Sequence, residues 1–345
     1  MQEKQRFVFI SWLRVIAMFM VFYPHIVAYT VDNGLSRRFA YYILNPLHII
    51  QFMGAIGVSL FFISSGFLTF RDVSTGEYTK RFIKILKLVV DVFLCVMFIF
   101  CILQIFNLFI PDLIQKSTVA TFYFYDWVCS AILYRNLVYG NSVDPVLWFL
   151  IPFVFFKILV IIFDYISRGN KELVLIMFFT YFLLSYSYLF ELLGLPSWIP
   201  PRTYFMCIII LGYIFALVHY NIITYKKMFC YTMITVSIML LGMYKRGYNI
   251  DDGYIVSVIY AAVLFICFYI TNSSMNYNLF LKYSDKIGLF FFIFHNNIGK
   301  TIVLYLSSFG INKYLTFVFA LIFILATIEM YRRTVYSIST RIVKI

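Results

Sequence analysis

The chain has 345 residues, of which 63% are hydrophobic and only 12% charged, with a formal net charge of +13 and a mean hydropathy of +0.90. Soluble domains are about half apolar and about a quarter charged, so the excess Phe, Ile, Leu and Tyr here has nowhere to go but lipid. The positive charge does not call for nucleic acid, because Lys and Arg fall in short clusters between apolar runs, the pattern of loops on the cytoplasmic face of a bilayer.

A membrane span needs about 20 mostly apolar residues. In chain order the runs that qualify are 7–30, 47–70, 88–110, 145–165, 172–194, 203–220, 228–244, 254–271, 286–308 and 313–331. They predict an all-α bundle of about ten transmembrane helices, a single membrane domain over 1–345 without a soluble domain. The first run is too long for a signal peptide and lacks a small-residue cleavage site, so it reads as a span. With the amino terminus inside, alternate loops hold 17 basic residues on the cytoplasmic side against 8 outside, which places both termini in the cytoplasm. The segment 117–139 is apolar but carries Asp126 and Arg135. It reads as an interfacial or re-entrant piece on the outer side. The six cysteines form no CxxC pair, so neither a disulfide framework nor a metal site is expected.

Ionisable residues inside spans carry the most information, since each costs several kcal/mol unless paired or facing a cavity. The first span holds Arg14 and His25, eleven residues apart. At 100° per residue their side chains leave the helix in nearly the same direction, about 16 Å apart along its axis. One cation below and one imidazole above suit a tunnel across the membrane. The structural alternative pairs Arg14 with Asp91 and makes His25 an interior histidine beside a kink at Pro24.

The second span ends in GVSLFFISSGFLTF, with Ser64, Ser65 and Gly66 near the depth of Arg14. Small residues there admit either another helix or a thin ligand. Arg71, Lys80, Arg81, Lys84 and Lys87 follow as the densest basic stretch. That is a positive-inside signal, and equally a place for the phosphates of a cytoplasmic nucleotide or of coenzyme A. The fourth span opens with Asp144 and Trp148, where an interfacial tryptophan is ordinary. The ninth buries His295, Asn296, Asn297 and Lys300 within six residues, a second polar locus that must face the interior. His48 and His219 lie near span ends.

Taken in order, these features resemble the acyltransferase family 3 membrane proteins, which O-acetylate lipopolysaccharide, capsule and related glycans. The first helix of that family carries an arginine, ten residues and a histidine, matched by Arg14 and His25. Its second resembles G-V-x-L-F-F-x-x-S-G, met by Gly57, Val58, Leu60, Phe61, Phe62, Ser65 and Gly66. A cationic stretch, a tryptophan opening a later helix and an aromatic run closing on His295 follow. The chain departs from the family where Leu86 stands in place of a proline after the basic pair, and where Leu289 and Phe290 replace a Ser-Tyr.

The resemblance implies a membrane O-acetyltransferase with acetyl-CoA as co-substrate, a glycan hydroxyl as acceptor and no metal. Arg81 and Lys84 would hold the phosphates of the donor, with its pantetheine arm passing Ser65 and Gly66. His25 and Arg14 would do the chemistry, leaving Trp148, His295 and Asn296 toward the acceptor. The expected location is a bacterial inner or plasma membrane, with no nucleic-acid partner; a homo-oligomer and glycan-synthesis partners stay open. The competing class is an exporter of polysaccharide or lipid-linked glycan without acyl chemistry, since intramembrane charges serve transport pathways equally well.

Overall fold

A computed structural model describes residues 7–30, 49–73, 77–109, 124–132, 145–186, 205–245, 252–272 and 275–336. Among these residues the chain is helices joined by short turns, without a strand. In order the helices are α1 (Val8–Thr30), α2 (Ile49–Val73), α3 (Tyr78–Phe109), α4 (Phe124–Ala131), α5 (Leu150–Ile166), α6 (Lys171–Tyr186), α7 (Met206–His219), α8 (Tyr225–Lys245), α9 (Asp252–Ile270), α10 (Leu279–Ser308) and α11 (Lys313–Tyr331). A 3-10 turn at Pro145–Phe149 leads into α5, and a π turn at Arg332–Tyr336 follows α11. Among the described residues, six helical stretches are long and apolar enough to cross a membrane: 52–70, 78–109, 147–166, 225–245, 279–308 and 314–336. Helices satisfy their own backbone groups, which is what lipid demands.

Two helices begin well before the apolar run that marks them in the sequence. Helix α3 starts at Tyr78 and has 32 residues, about 48 Å at 1.5 Å per residue. Its first turns therefore extend beyond a hydrocarbon layer about 30 Å thick, and the basic stretch from Lys80 to Lys87 is helix rather than loop. Helix α10 starts at Leu279, where the Asn278 side chain caps it by accepting from the Leu281 backbone N–H at 3.0 Å. Helix α4, at eight residues or about 12 Å, is too short to span. The remainder of segment 117–139, Arg135 included, lies outside the described residues, as do Asp144 and His48.

The chain divides into two compact units. The first comprises 1–58, 87–147 and 268–345. Within it α1 and α10 run parallel, as successive pairs show: Arg14 beside Asp285, then Phe22 edge-on to Phe291. Helix α11 runs back along α10, its buried Tyr331 packing on Phe290 and Phe294. The α3 stretch in this unit lies against α11 in the opposite sense, through Phe98 on Tyr331 and Phe106 on Phe323. Trp127 of α4 is buried against Phe100.

The second unit comprises 59–86 and 148–267. Helices α5 and α6 form a hairpin, with Phe178 stacked on Phe156 and edge-on to Phe163. Its turn places Arg168 and Gly169 in the left-handed region, at φ 52° and 84°, and Asn170 caps α6 through the Leu173 N–H. Helices α6 and α8 run parallel, from Glu172 beside Lys227 to Tyr186 against Gly242. So do α2 and α7, from Phe62 near Phe205 to Phe70 stacked on Tyr220.

Candidate functional site

In the first unit the polar residues line the seam between α1 and α10. Ser11 and Arg14, three apart on α1, share a face. Both reach Asp285 on α10: the Ser11 hydroxyl donates to Oδ2 at 2.7 Å, and an Arg14 guanidinium nitrogen lies 3.5 Å from Oδ1. Tyr277, in the short extended stretch before α10, donates to the same Oδ2 at 3.2 Å. Next to this cluster the Phe9 backbone N–H donates to Asn272 Oδ1 at 3.2 Å. Tyr277 also lines an open cleft of about 680 Å³ with Asn278, Leu279, Phe280 and Lys282.

Nearly three turns further along the seam, α10 buries His295, Asn296 and Asn297. His295 is fully enclosed, and its ring lies parallel to that of Phe291. Its Nδ1 sits 2.9 Å from the Phe292 carbonyl and 3.2 Å from that of Phe291. A carbonyl only accepts, so this contact puts the proton on Nδ1 and, in the neutral ring, the lone pair on Nε2. The parallel register that pairs Phe22 with Phe291 brings residue 25 of α1, one turn on, to the level of residues 294 and 295. The His25 side chain itself lies outside the described residues. Gly57, which opens the second-helix motif, fits tightly against α1: a Cβ there would fall 2.8 Å from the Ala17 carbonyl oxygen.

The second unit holds the other sequence-marked residues. Ser64, Ser65 and Gly66 are buried on α2. Gly66 faces α7 so closely that a Cβ would stand 1.8 Å from the Ile209 carbonyl oxygen. Ser65 accepts through its carbonyl from the Thr69 hydroxyl at 2.8 Å. Trp148 is half-buried, edge-on to Phe62 and tilted over Phe205 at 4.7 Å.

At the basic end of this unit Arg81 turns inward while Lys80 and Lys84 face out. Arg81, 7% exposed, meets Asp164, 1% exposed, at 3.1 Å, and Lys171 hydrogen-bonds the other carboxylate oxygen. Tyr78 lies under the guanidinium, its ring centre 5.2 Å away. Burial draws the pKa of the Lys171 ammonium below its ordinary value, and the bond to Asp164 opposes that pull. Two cations share one carboxylate, so the cluster keeps a surplus positive charge, with Lys80, Lys84 and Arg168 exposed near the same helix ends. That donor set fits polyphosphate.

Arg14, His295 and Asn296 thus share one seam with the backbone of residue 25, while Ser65, Gly66, Arg81, Lys84 and Trp148 belong to the other unit. Asp285, Tyr277, Asp164 and Lys171 escape a reading of the sequence. Asp285 hides between Lys282 and Lys286, where its charge is lost in a basic count. Asp164, the one carboxylate inside the fourth apolar run, was visible to the same rule that singles out Arg14. Where the sequence offered Asp91 as the Arg14 partner, the structure supplies Asp285; the Asp91 backbone carbonyl accepts from the Tyr331 hydroxyl at 3.3 Å.

A family model described as an acyltransferase domain matches residues 7–328, nearly the whole chain, and the chain belongs to acyltransferase family 3. No curated protein and no solved structure matches it.

Proposed function

We propose that this multi-pass membrane acyltransferase takes an acetyl group from cytoplasmic acetyl-CoA and delivers it across the membrane to a hydroxyl of a cell-surface glycan: capsule, exopolysaccharide or a lipid-linked precursor. Family membership supplies the acyl transfer. The observation that carries the rest is the α1–α10 seam. It sets a cation near the helix starts and a histidine-bearing level about 16 Å further along. The count of basic residues favours the cytoplasm for the Arg14 end.

In this reading Arg81 and Lys84 hold the phosphates of the donor at the basic end of the second unit, and Ser65 and Gly66 border the path of its pantetheine arm. Arg14 steadies the negative charge of the donor on its way to the His25 level. His25 takes the proton from the acceptor hydroxyl, whose oxygen forms the ester bond to the acyl carbon as the carbon–sulfur bond breaks. The proton then passes to the departing thiolate. A relay in which the His25 imidazole first accepts the acyl group and then yields it to the hydroxyl balances equally well. Trp148, His295 and Asn296 bind the acceptor. The fitting residence is a bacterial inner or plasma membrane.

The test is acetyl-CoA turnover by the purified protein in proteoliposomes, read as free thiol released with and without a glycan acceptor. Acceptor-dependent thiol release supports the reading. Binding of glycan without thiol release from any acyl-CoA contradicts it and favours export.

A further inference from the structure

Arg14 is only as useful as its orientation is fixed, and a guanidinium on a four-bond stem is mobile unless something holds it. Asp285 has the geometry to hold it. One carboxylate oxygen, Oδ2, is pinned by two hydroxyls, that of Ser11 from α1 and that of Tyr277 from the stretch before α10. The other, Oδ1, is buried, accepts no hydrogen bond and faces the Arg14 guanidinium at 3.5 Å. Side-chain exposures of 31% for Arg14 and 19% for Asp285 place the pair at the edge of the buried seam rather than on an open surface.

We propose that Asp285 is the positioning residue for Arg14, aiming the guanidinium through charge while Ser11 and Tyr277 fix the carboxylate; this rests on the acyltransferase reading above. A closed charge-assisted bond would be about 2.8 Å long. At 3.5 Å the carboxylate constrains the direction of the cation without seating against it. Tyr277 joins this network to the cleft it lines with Phe280 and Lys282, so a ligand there is one hydrogen bond from the partner of Arg14.

The alternative is that Asp285 merely fastens α1 to α10. A double-mutant cycle separates the two. The substitution Asp285→Asn keeps an oxygen to accept from Ser11 and Tyr277 and removes only the charge. With the full-length protein in proteoliposomes and acetyl-CoA as the probe, it is expected to lower kcat/KM by about 10- to 100-fold, the range for residues that orient a working group. In an Arg14→Gln background the same change is expected to cost nothing further. Multiplicative losses in the double variant would overturn the proposal, because Asp285 would then act independently of Arg14. An Arg14→Gln protein as active as wild type would sink both the role of Arg14 and that of Asp285, whereas absence of thiol release in the wild type would sink the acyltransferase reading itself. If Asp285→Asn does not accumulate in membranes, Tyr277→Phe and Ser11→Ala take its place. Each should lower kcat/KM about 3-fold or more in the wild type and do nothing in the Arg14→Gln background; full activity of both overturns the proposal.

Discussion

Gly66 and Gly212 stand at one crossing, each against the backbone of the other's helix. A Cβ on Gly66 would fall 1.8 Å from the Ile209 carbonyl oxygen, and one on Gly212 would fall 1.9 Å from that of Ile63. Close backbone approach through small residues is the main packing device available to helices in lipid, where no hydrophobic drive pulls them together. It brings α2 and α7 into contact and fixes where Ser64 and Ser65 lie.

Replacing either glycine by alanine therefore forces two backbones apart. The expected cost is at or above the upper end of the roughly 1–3 kcal/mol typical of overpacking, read as a lower midpoint for thermal aggregation in detergent. Because both glycines serve one crossing, the double variant should lose less than the sum of the single losses. Wild-type stability for Gly66→Ala would show that α7 does not pack here.

Asp164 sits between the buried Arg81 and the partly exposed Lys171, and its removal takes the shared carboxylate from both. Asp164→Asn should cost about 3–5 kcal/mol, the usual penalty for breaking a buried ion pair from one side. Adding Lys171→Met to that variant removes one stranded charge and should restore part of the loss. A double variant less stable than Asp164→Asn alone would contradict the shared-carboxylate arrangement.

Lys84 is exposed whereas Arg81 is buried, so their losses should differ in kind. Lys84→Ala should leave the thermal midpoint unchanged within about 0.5 kcal/mol and raise the KM for acetyl-CoA. That effect should shrink as salt is raised toward 1 M, where screening acts within about 3 Å. Arg81→Ala should raise that KM and, because it also breaks the buried pair with Asp164, lower the thermal midpoint. A Lys84 effect on KM that ignores salt would argue against an electrostatic role.

His295 offers its Nδ1 proton to the α10 backbone and keeps a lone pair on Nε2. His295→Asn can reproduce the backbone bond with its amide, while His295→Gln extends its amide toward the Nε2 position. If the ring serves the acceptor, the Asn variant should fold normally yet raise the KM for the glycan. A fully active Asn variant would make His295 a structural residue.

The helical bundle was legible because lipid imposes a simple rule: long apolar runs and charged punctuation. Boundaries failed where physics continued past hydropathy. Tyr78–Leu86 and Leu279–Asp285 carry charge yet remain helical, since they belong to helices longer than the apolar layer is thick. The polar content of α10 was equally plain, because His295, Asn296 and Asn297 in succession cannot face lipid. Pairings were not legible. Gly66 meets α7 and Arg14 meets α10 across long stretches of chain, and single-sequence spacing reports neighbours on one helix but not between helices. Arg81 shows a further gap: helical spacing grouped it with Lys80 and Lys84, whereas in three dimensions Asp164 draws it inward.

The most direct test of the central claim is the O-acetyl content of the surface glycan, measured by proton NMR in cells carrying the wild-type protein, His25→Ala or no copy. The expected result is acetyl signal with the wild type alone and an undiminished yield of glycan in all three. Unchanged acetylation in the cells without the protein, or loss of the glycan itself from their surface, would contradict it.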